Sequence, residues 1–272
     1  MSPITWVQPE SLDELRAALR DGARLHGGGT GLMRNPPARG TIADLSRLGI
    51  ADVRATETSV EAGGAASIAS VVREIRRVQP DHIVVQALSR MAAPALRNRI
   101  TLGGSIALFP PWSTVVGPLL AAGTKITLMG AHEGSVGLDE YLERRELRRG
   151  TAIVGVDVAL TPGLHGSWFA FTRTRFTYPL FSVAAVGRGE KGAIADLRLV
   201  ITGNAGRYSR LAELETRLIG SPAPRELSAG ELGARIPDRQ GFTGDYLTHL
   251  AAVHTRRAVA AVAAEDPGEA AI

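Results

Sequence analysis

Residues 25–33 read LHGGGTGLM, placing His26 ahead of Gly27, Gly28, Gly29, Thr30, Gly31 and Leu32. Glycine permits positive φ and close backbone approach, so successive N–H groups in such a loop can form an anion-binding concavity. Two common phosphate loops do not match. A nucleotide P-loop ends in Gly-Lys-Ser/Thr, and the chain's only lysines are the distant Lys125 and Lys191. A Rossmann fingerprint needs a glycine at its sixth position and a helix opening at once, but position 32 is leucine, and Pro36 and Pro37 stop a helix. A tight turn between strands would use the same glycines. A second pair, Gly103 and Gly104 in RNRITLGGSIA (97–107), sits between a strand-like approach and a short apolar exit, where a glycine bulge is the alternative.

Other chemistries are narrowed by what the chain lacks. With no cysteine it can form no disulfide, thiolate nucleophile, thiolate zinc site or iron–sulfur cluster of its own. His82, His132, His165, His249 and His254 are scattered singly and suggest no triad or metal set. The +4 net charge and pI near 9.9 raise nucleic acid as a partner. The arginines, however, are dispersed among acids, and the densest run, ERRELRR (143–149), reads as a solvated helix face or turn. Nucleic acid is therefore not expected. No basic-then-apolar leader opens the sequence and no run of ~18 apolar residues occurs, so no transmembrane segment is expected and the cytoplasm is the expected location.

The elements that must position these loops alternate along the chain. ITWV (4–7) reads as a strand, and Ser11 with Glu14 forms a capping box ahead of Leu12, Leu15, Ala18 and Leu19 on one helical face. ARLH (23–26) leads into the glycine loop as a strand, and TIADLS (41–46) and SVEAG (59–63) read as two more. ASIASVVREIRRV (66–78) has helical periodicity, and a second helix is expected over 82–96, ending where Pro94 intrudes. The apolar segment 115–122 is followed by the strands KITLMG (125–130) and AIVGVDVAL (152–160). TPGLHGS (161–167) is the expected subdomain boundary. Beyond it come SWFAFTRTRF, LFSVAAVGRG and AIADLRLVITG as strands, then helices over 209–219 and 243–264.

The two glycine loops, about 70 residues apart, resemble the flavin-contacting loops of the FAD-binding subunits of molybdenum hydroxylases, the xanthine dehydrogenase and aerobic carbon monoxide dehydrogenase group. That family's Ala-Gly-Gly-Thr-Asp/Asn-Leu is matched at Gly28, Gly29, Thr30 and Leu32. Its Arg-Asn-x-x-Thr-Ile-Gly-Gly-Asn is matched at Arg97, Asn98, Thr101, Gly103 and Gly104. IADLSRL (42–48), VEAGGAAS (60–67), FSVAAVG (181–187) and GDYLTHLAAVHTRRAV (244–259) extend the likeness over nearly the whole chain.

The resemblance implies an α+β fold: a two-lobed FAD-binding domain of the PCMH or vanillyl-alcohol-oxidase-like type, residues 1–55 and 56–163, then a small C-terminal domain, 164–272, of antiparallel sheet and helices. FAD would lie with its pyrophosphate on the two loops, contacted by His26, Gly27 to Leu32, Thr101, Gly103, Gly104, Ser105 and Thr114. The implied function is electron transfer, from 2Fe-2S clusters in a small partner subunit through FAD to NAD, a quinone or oxygen. Substrate is hydroxylated in a large molybdenum-cofactor subunit, and no catalytic residue is expected in this chain. Gly31, Ser105 and Thr114 stand where the family has Asp/Asn, Asn and Asp, which implies weaker FAD retention. A stand-alone flavin oxidoreductase and a flavin-free scaffold subunit are the alternatives.

Overall fold

The computed structural model describes residues 4–174 and 177–264. They form three sheets. The first contains β1 (Ile4–Val7), β2 (Arg24–His26) and β3 (Gly40–Asp44), the second β4 (Val53–Ala55), β5 (Ser59–Gly63), β6 (Lys125–Gly130), β7 (Gly134–Gly137) and β8 (Thr151–Ala159), and the third β9 (His165–Phe171), β10 (Phe181–Glu190), β11 (Ala193–Thr202) and β12 (Tyr208–Arg210). The α-helices are α1 (Leu12–Arg20), α2 (Ile68–Val78), α3 (Ile83–Leu88), α4 (Pro94–Arg97), α5 (Leu102–Leu108), α6 (Val116–Ala121), α7 (Leu138–Glu143), α8 (Ala212–Leu218) and α9 (Gly244–Ala263). None of the described helices is long and apolar enough to cross a membrane. The chain divides into two compact units, each discontinuous in sequence. One comprises the chain up to Val78, Ala92–Leu108 and Gly123–Leu160. The other comprises Gln79–Met91, Phe109–Ala122 and the chain from Thr161 onward.

The first unit carries the glycine loops. Its smaller sheet is parallel, in the order β1-β3-β2, with His26 paired to Asp44 at the end of β2. The capping box forms at α1: the Ser11 hydroxyl accepts from the Glu14 N–H at 3.2 Å. The Glu14 carboxylate, however, takes the Glu10 N–H at 2.9 Å. That cap fixes the phase at which Leu15 and Leu19 turn inward to join Leu45, Met129 and Ala152 in a core cluster. The larger sheet is antiparallel throughout, β4-β5-β8-β6-β7.

The second unit is an antiparallel sheet, β12-β11-β10-β9, with α8 and α9 sharing its principal core. Phe181 to Gly187 of β10 are all buried, because α9 packs on this strand and so does α6; a strand covered on both faces reads as a continuous apolar run. At the sheet edge Gln86 of α3 replaces a missing neighbour. Its amide nitrogen donates to the Gly166 carbonyl at 2.7 Å, and its amide oxygen accepts the Trp168 N–H at 3.2 Å. Glu215 of α8, 4% exposed, accepts the Leu199 N–H at 2.8 Å and a forked bond from Arg210.

Several expectations change. The helix expected over 82–96 is two short ones, and Pro94 begins α4 at its first turn, where a residue without an N–H costs nothing. The ERRELRR run keeps to the turn reading: it contains a short 3-10 turn, Arg145–Arg148, with Arg144 paired to Glu140 and Glu146. β9 already starts at His165 within the expected boundary. Arg175 and Phe176, at the end of the stretch read as a strand, lie outside the described residues, as do 1–3 and 265–272. β4, β7, β12 and α7 were not legible as periodic segments.

Candidate functional site

The first glycine segment leaves β2 and ends in a 3-10 turn, Leu32–Arg34. Its carbonyls are engaged by protein donors. Gly29 accepts from Met33 N at 3.0 Å and Gly31 from Arg34 N at 3.3 Å, while Gly28 accepts from Arg99 Nη2 at 3.2 Å. The N–H groups of Gly28, Gly29, Thr30 and Gly31 have no acceptor among the described residues. With Gly29 at φ +76, the segment holds four successive N–H groups without protein acceptors while the Gly28, Gly29 and Gly31 carbonyls are engaged, an arrangement able to bind an anion.

Protein neighbours, as much as any ligand, dictate the glycines. A Cβ on Gly28 would overlap the Arg99 carbonyl, and one on Gly103 would stand 2.6 Å from the Gly64 carbonyl. Gly64 in turn presses on the Ile153 carbonyl of β8 and donates to Val154 O at 2.9 Å. Gly27 and Gly104 both make room for the Thr101 hydroxyl, which a Cβ would approach to 2.8 Å and 2.6 Å respectively. Thr101 thus sits at the seam of the two motifs and ties them into one cradle.

The second glycine pair departs from its expected setting. Gly103 and Gly104 lie inside α5, with Ser105 N bonded to Thr101 O at 3.0 Å. The bulge is absent, while the strand-like approach survives as one antiparallel bridge, Thr101 with Ser67; the need for Gly103 to abut Gly64 selects glycine in a helix that propensity alone disfavours. The Gly103 N–H is used by the Gly64 carbonyl at 3.0 Å and is not open to a ligand. The Ser105 hydroxyl donates to Thr101 O at 2.8 Å, leaving its acceptor lone pairs.

His26, Gly27 to Leu32, Thr101, Gly103, Gly104 and Ser105 all belong to the first unit, where contacts through Thr101 join Gly27, Gly104 and Ser105, and His26 meets Gly29. Thr114 belongs to the second unit, beside Ser113, whose hydroxyl accepts the N–H groups of Val115 and Val116 at 3.3 Å. Sequence reasoning missed Arg99, Gly64 and Asp44. The only signal for Arg99 was its place inside the RNR run, and for Gly64 its place in a Gly-Gly turn.

The donor set fits a dinucleotide: a side-chain-free cradle with unpaired N–H groups suits a diphosphate. Fold and loop together suit a nucleotide-diphosphate-binding domain. The chain belongs to the family described as FAD binding domain in molybdopterin dehydrogenase, which matches residues 2–159. It is 27% identical over 235 residues to the 6-hydroxypseudooxynicotine dehydrogenase complex subunit alpha of Paenarthrobacter nicotinovorans, covering 79% of this chain and 78% of that protein. Among solved structures, a chain of carbon monoxide dehydrogenase from Hydrogenophaga pseudoflava superposes with a TM-score of 0.85 at 21% identity, over 96% of this chain and 97% of that one. A chain of quinoline 2-oxidoreductase from Pseudomonas putida 86 gives 0.82 at 20% identity, over 95% and 96%.

Proposed function

We propose that this chain is the FAD-binding electron-transfer subunit of a molybdenum hydroxylase complex. The observation that carries the reading is the run of four backbone N–H groups, Gly28 to Gly31, left without protein acceptors in a loop whose carbonyls are engaged. Family membership over residues 2–159 supplies the cofactor, and FAD, when bound, supplies the redox chemistry. The chain's own residues bind and orient. The loop N–H groups would receive the diphosphate, and the hydroxyls of Thr30 and Thr101 offer further hydrogen bonds at the cradle.

The proposed partners are a large molybdenum-cofactor subunit and a small 2Fe-2S subunit, with NAD, a quinone or oxygen as terminal acceptor. The absence of cysteine suits a subunit that leaves cluster ligation to a partner. The reading carries with it the lobes 1–55 and 56–163, the C-terminal domain 164–272, a place for Thr114 in the cofactor's contacts, and a cytoplasmic location.

Co-expression with the neighbouring redox subunits, followed by affinity purification, an absorption spectrum and metal analysis, tests the proposal. A complex with stoichiometric FAD, molybdenum and iron is expected. Recovery of a lone chain that takes up no FAD would overturn it, and a complex lacking the flavin absorption band would make the chain a scaffold.

A further inference from the structure

His26 ends β2, and its ring is wedged beneath the loop that it introduces. Trp6 of β1 meets it edge-on, with ring centroids 5.2 Å apart. Nδ1 is shut off from solvent without a hydrogen-bond partner and faces Asp44 Oδ2 at 3.6 Å. The other Asp44 oxygen is occupied by the Ser46 N–H at 2.9 Å. At the opposite end of the ring Nε2 lies against Gly29, where a Cβ would stand only 2.6 Å away. A carboxylate therefore faces one ring nitrogen, and the loop of open N–H groups lies beside the other.

We propose that His26, as an imidazolium oriented by Asp44, is the cationic contact for the diphosphate on the Gly28–Gly31 loop. This rests on the dinucleotide reading above. The loop has no lysine, and the Arg99 guanidinium is turned onto the Gly28 carbonyl, which leaves His26 as the side chain set against the loop at Gly29. A neutral imidazole has one donor and one acceptor, whereas the doubly protonated ring donates from both nitrogens. Only the latter satisfies a carboxylate at Nδ1 and a phosphate oxygen at Nε2 together. Binding therefore draws a proton onto the ring, and affinity falls as pH rises through the range in which histidines change charge. The charged groups facing this arrangement are Asp44 on β3 and the Arg99 guanidinium at the Gly28 carbonyl; β1 contributes the uncharged Trp6.

The test is titration of the apo chain with FAD, and separately with ADP-ribose as a flavin-free diphosphate whose phosphates, like those of FAD, do not ionise between pH 6 and pH 8, for wild type, His26→Asn, His26→Gln and Asp44→Asn. Wild type is expected to bind both ligands about tenfold to a hundredfold more tightly near pH 6 than near pH 8, the size of one charge-assisted hydrogen bond. In the His26 variants that dependence should disappear and affinity near pH 6 should drop at least to the wild-type level near pH 8, with thermal unfolding lowered equally at both pH values by the lost packing against Trp6. Asp44→Asn should flatten the dependence. Wild-type binding that is independent of pH, or His26→Asn and His26→Gln that both keep the dependence, would overturn the role of His26 while leaving the dinucleotide reading intact. Failure of wild type to bind either ligand would overturn both.

Discussion

A Cβ on Gly28 would overlap the carbonyl oxygen of Arg99, a residue 71 positions away whose guanidinium also donates to the Gly28 carbonyl. The loop is thus clamped from both ends of one arginine, its backbone and its side chain. Gly28→Ala must push two backbones apart, and overpacking of this kind costs about 1–3 kcal/mol. Chemical denaturation should show that loss together with lost FAD uptake. Gly230→Ala, with nothing within 4 Å of the added carbon, should leave both unchanged.

Thr101→Val tests the seam between the two motifs. It preserves the volume that Gly27 and Gly104 accommodate but removes the hydroxyl. One net hydrogen bond is worth roughly 1 kcal/mol, so FAD should bind about fivefold more weakly. Equilibrium titration measures this, and an unaltered dissociation constant would remove Thr101 from the cofactor's contacts.

Glu215 in the second unit is an anchor with no part in the site. Glu215→Ala leaves the Leu199 N–H without its acceptor and takes the carboxylate from Arg210, and should cost about 1.5–3 kcal/mol in urea unfolding. Glu215→Gln can still accept the Leu199 N–H and should lose less. Neither change should alter the affinity for FAD.

His254 stacks on Phe169 with ring centroids 3.3 Å apart, and burial, reinforced by the Arg257 charge, pushes its pKa below the ordinary histidine value. The unfolded chain then binds the proton more readily than the folded one, so stability is full above the unfolded value and falls as pH drops through it toward the folded one. Unfolding midpoints of wild type should decline from about pH 6.5 downward, and His254→Phe should be less sensitive over that window.

Gln86→Ala uncaps the edge of β9, exposing the Gly166 carbonyl and the Trp168 N–H that its amide pairs. Unsatisfied edges template further strand pairing. Faster amide exchange at Trp168 and increased self-association in light scattering are expected, with no change in cofactor binding.

The sequence by itself determined the long periodic elements, because burial of one face imposes a spacing: α1, α2, α9 and the strands β5, β6, β8, β10 and β11 stand where the apolar pattern puts them. For the 27–31 loop it offered two readings, an anion cradle or a tight turn between strands, and the missing lysine ruled out a P-loop. What it left undecided were short elements such as β4, β7 and α4, which lie below the length at which periodicity speaks. Only the tertiary structure decided why each glycine is needed. Gly28 yields to Arg99, Gly103 to Gly64, and Gly27 and Gly104 to one threonine hydroxyl. These are contacts between segments far apart in the chain, and close approach of two backbones leaves no trace in either segment alone beyond the absence of a side chain. The same holds for His26: leucine precedes it and glycines follow it in sequence, and only the parallel pairing of β2 with β3 sets Asp44 beside it.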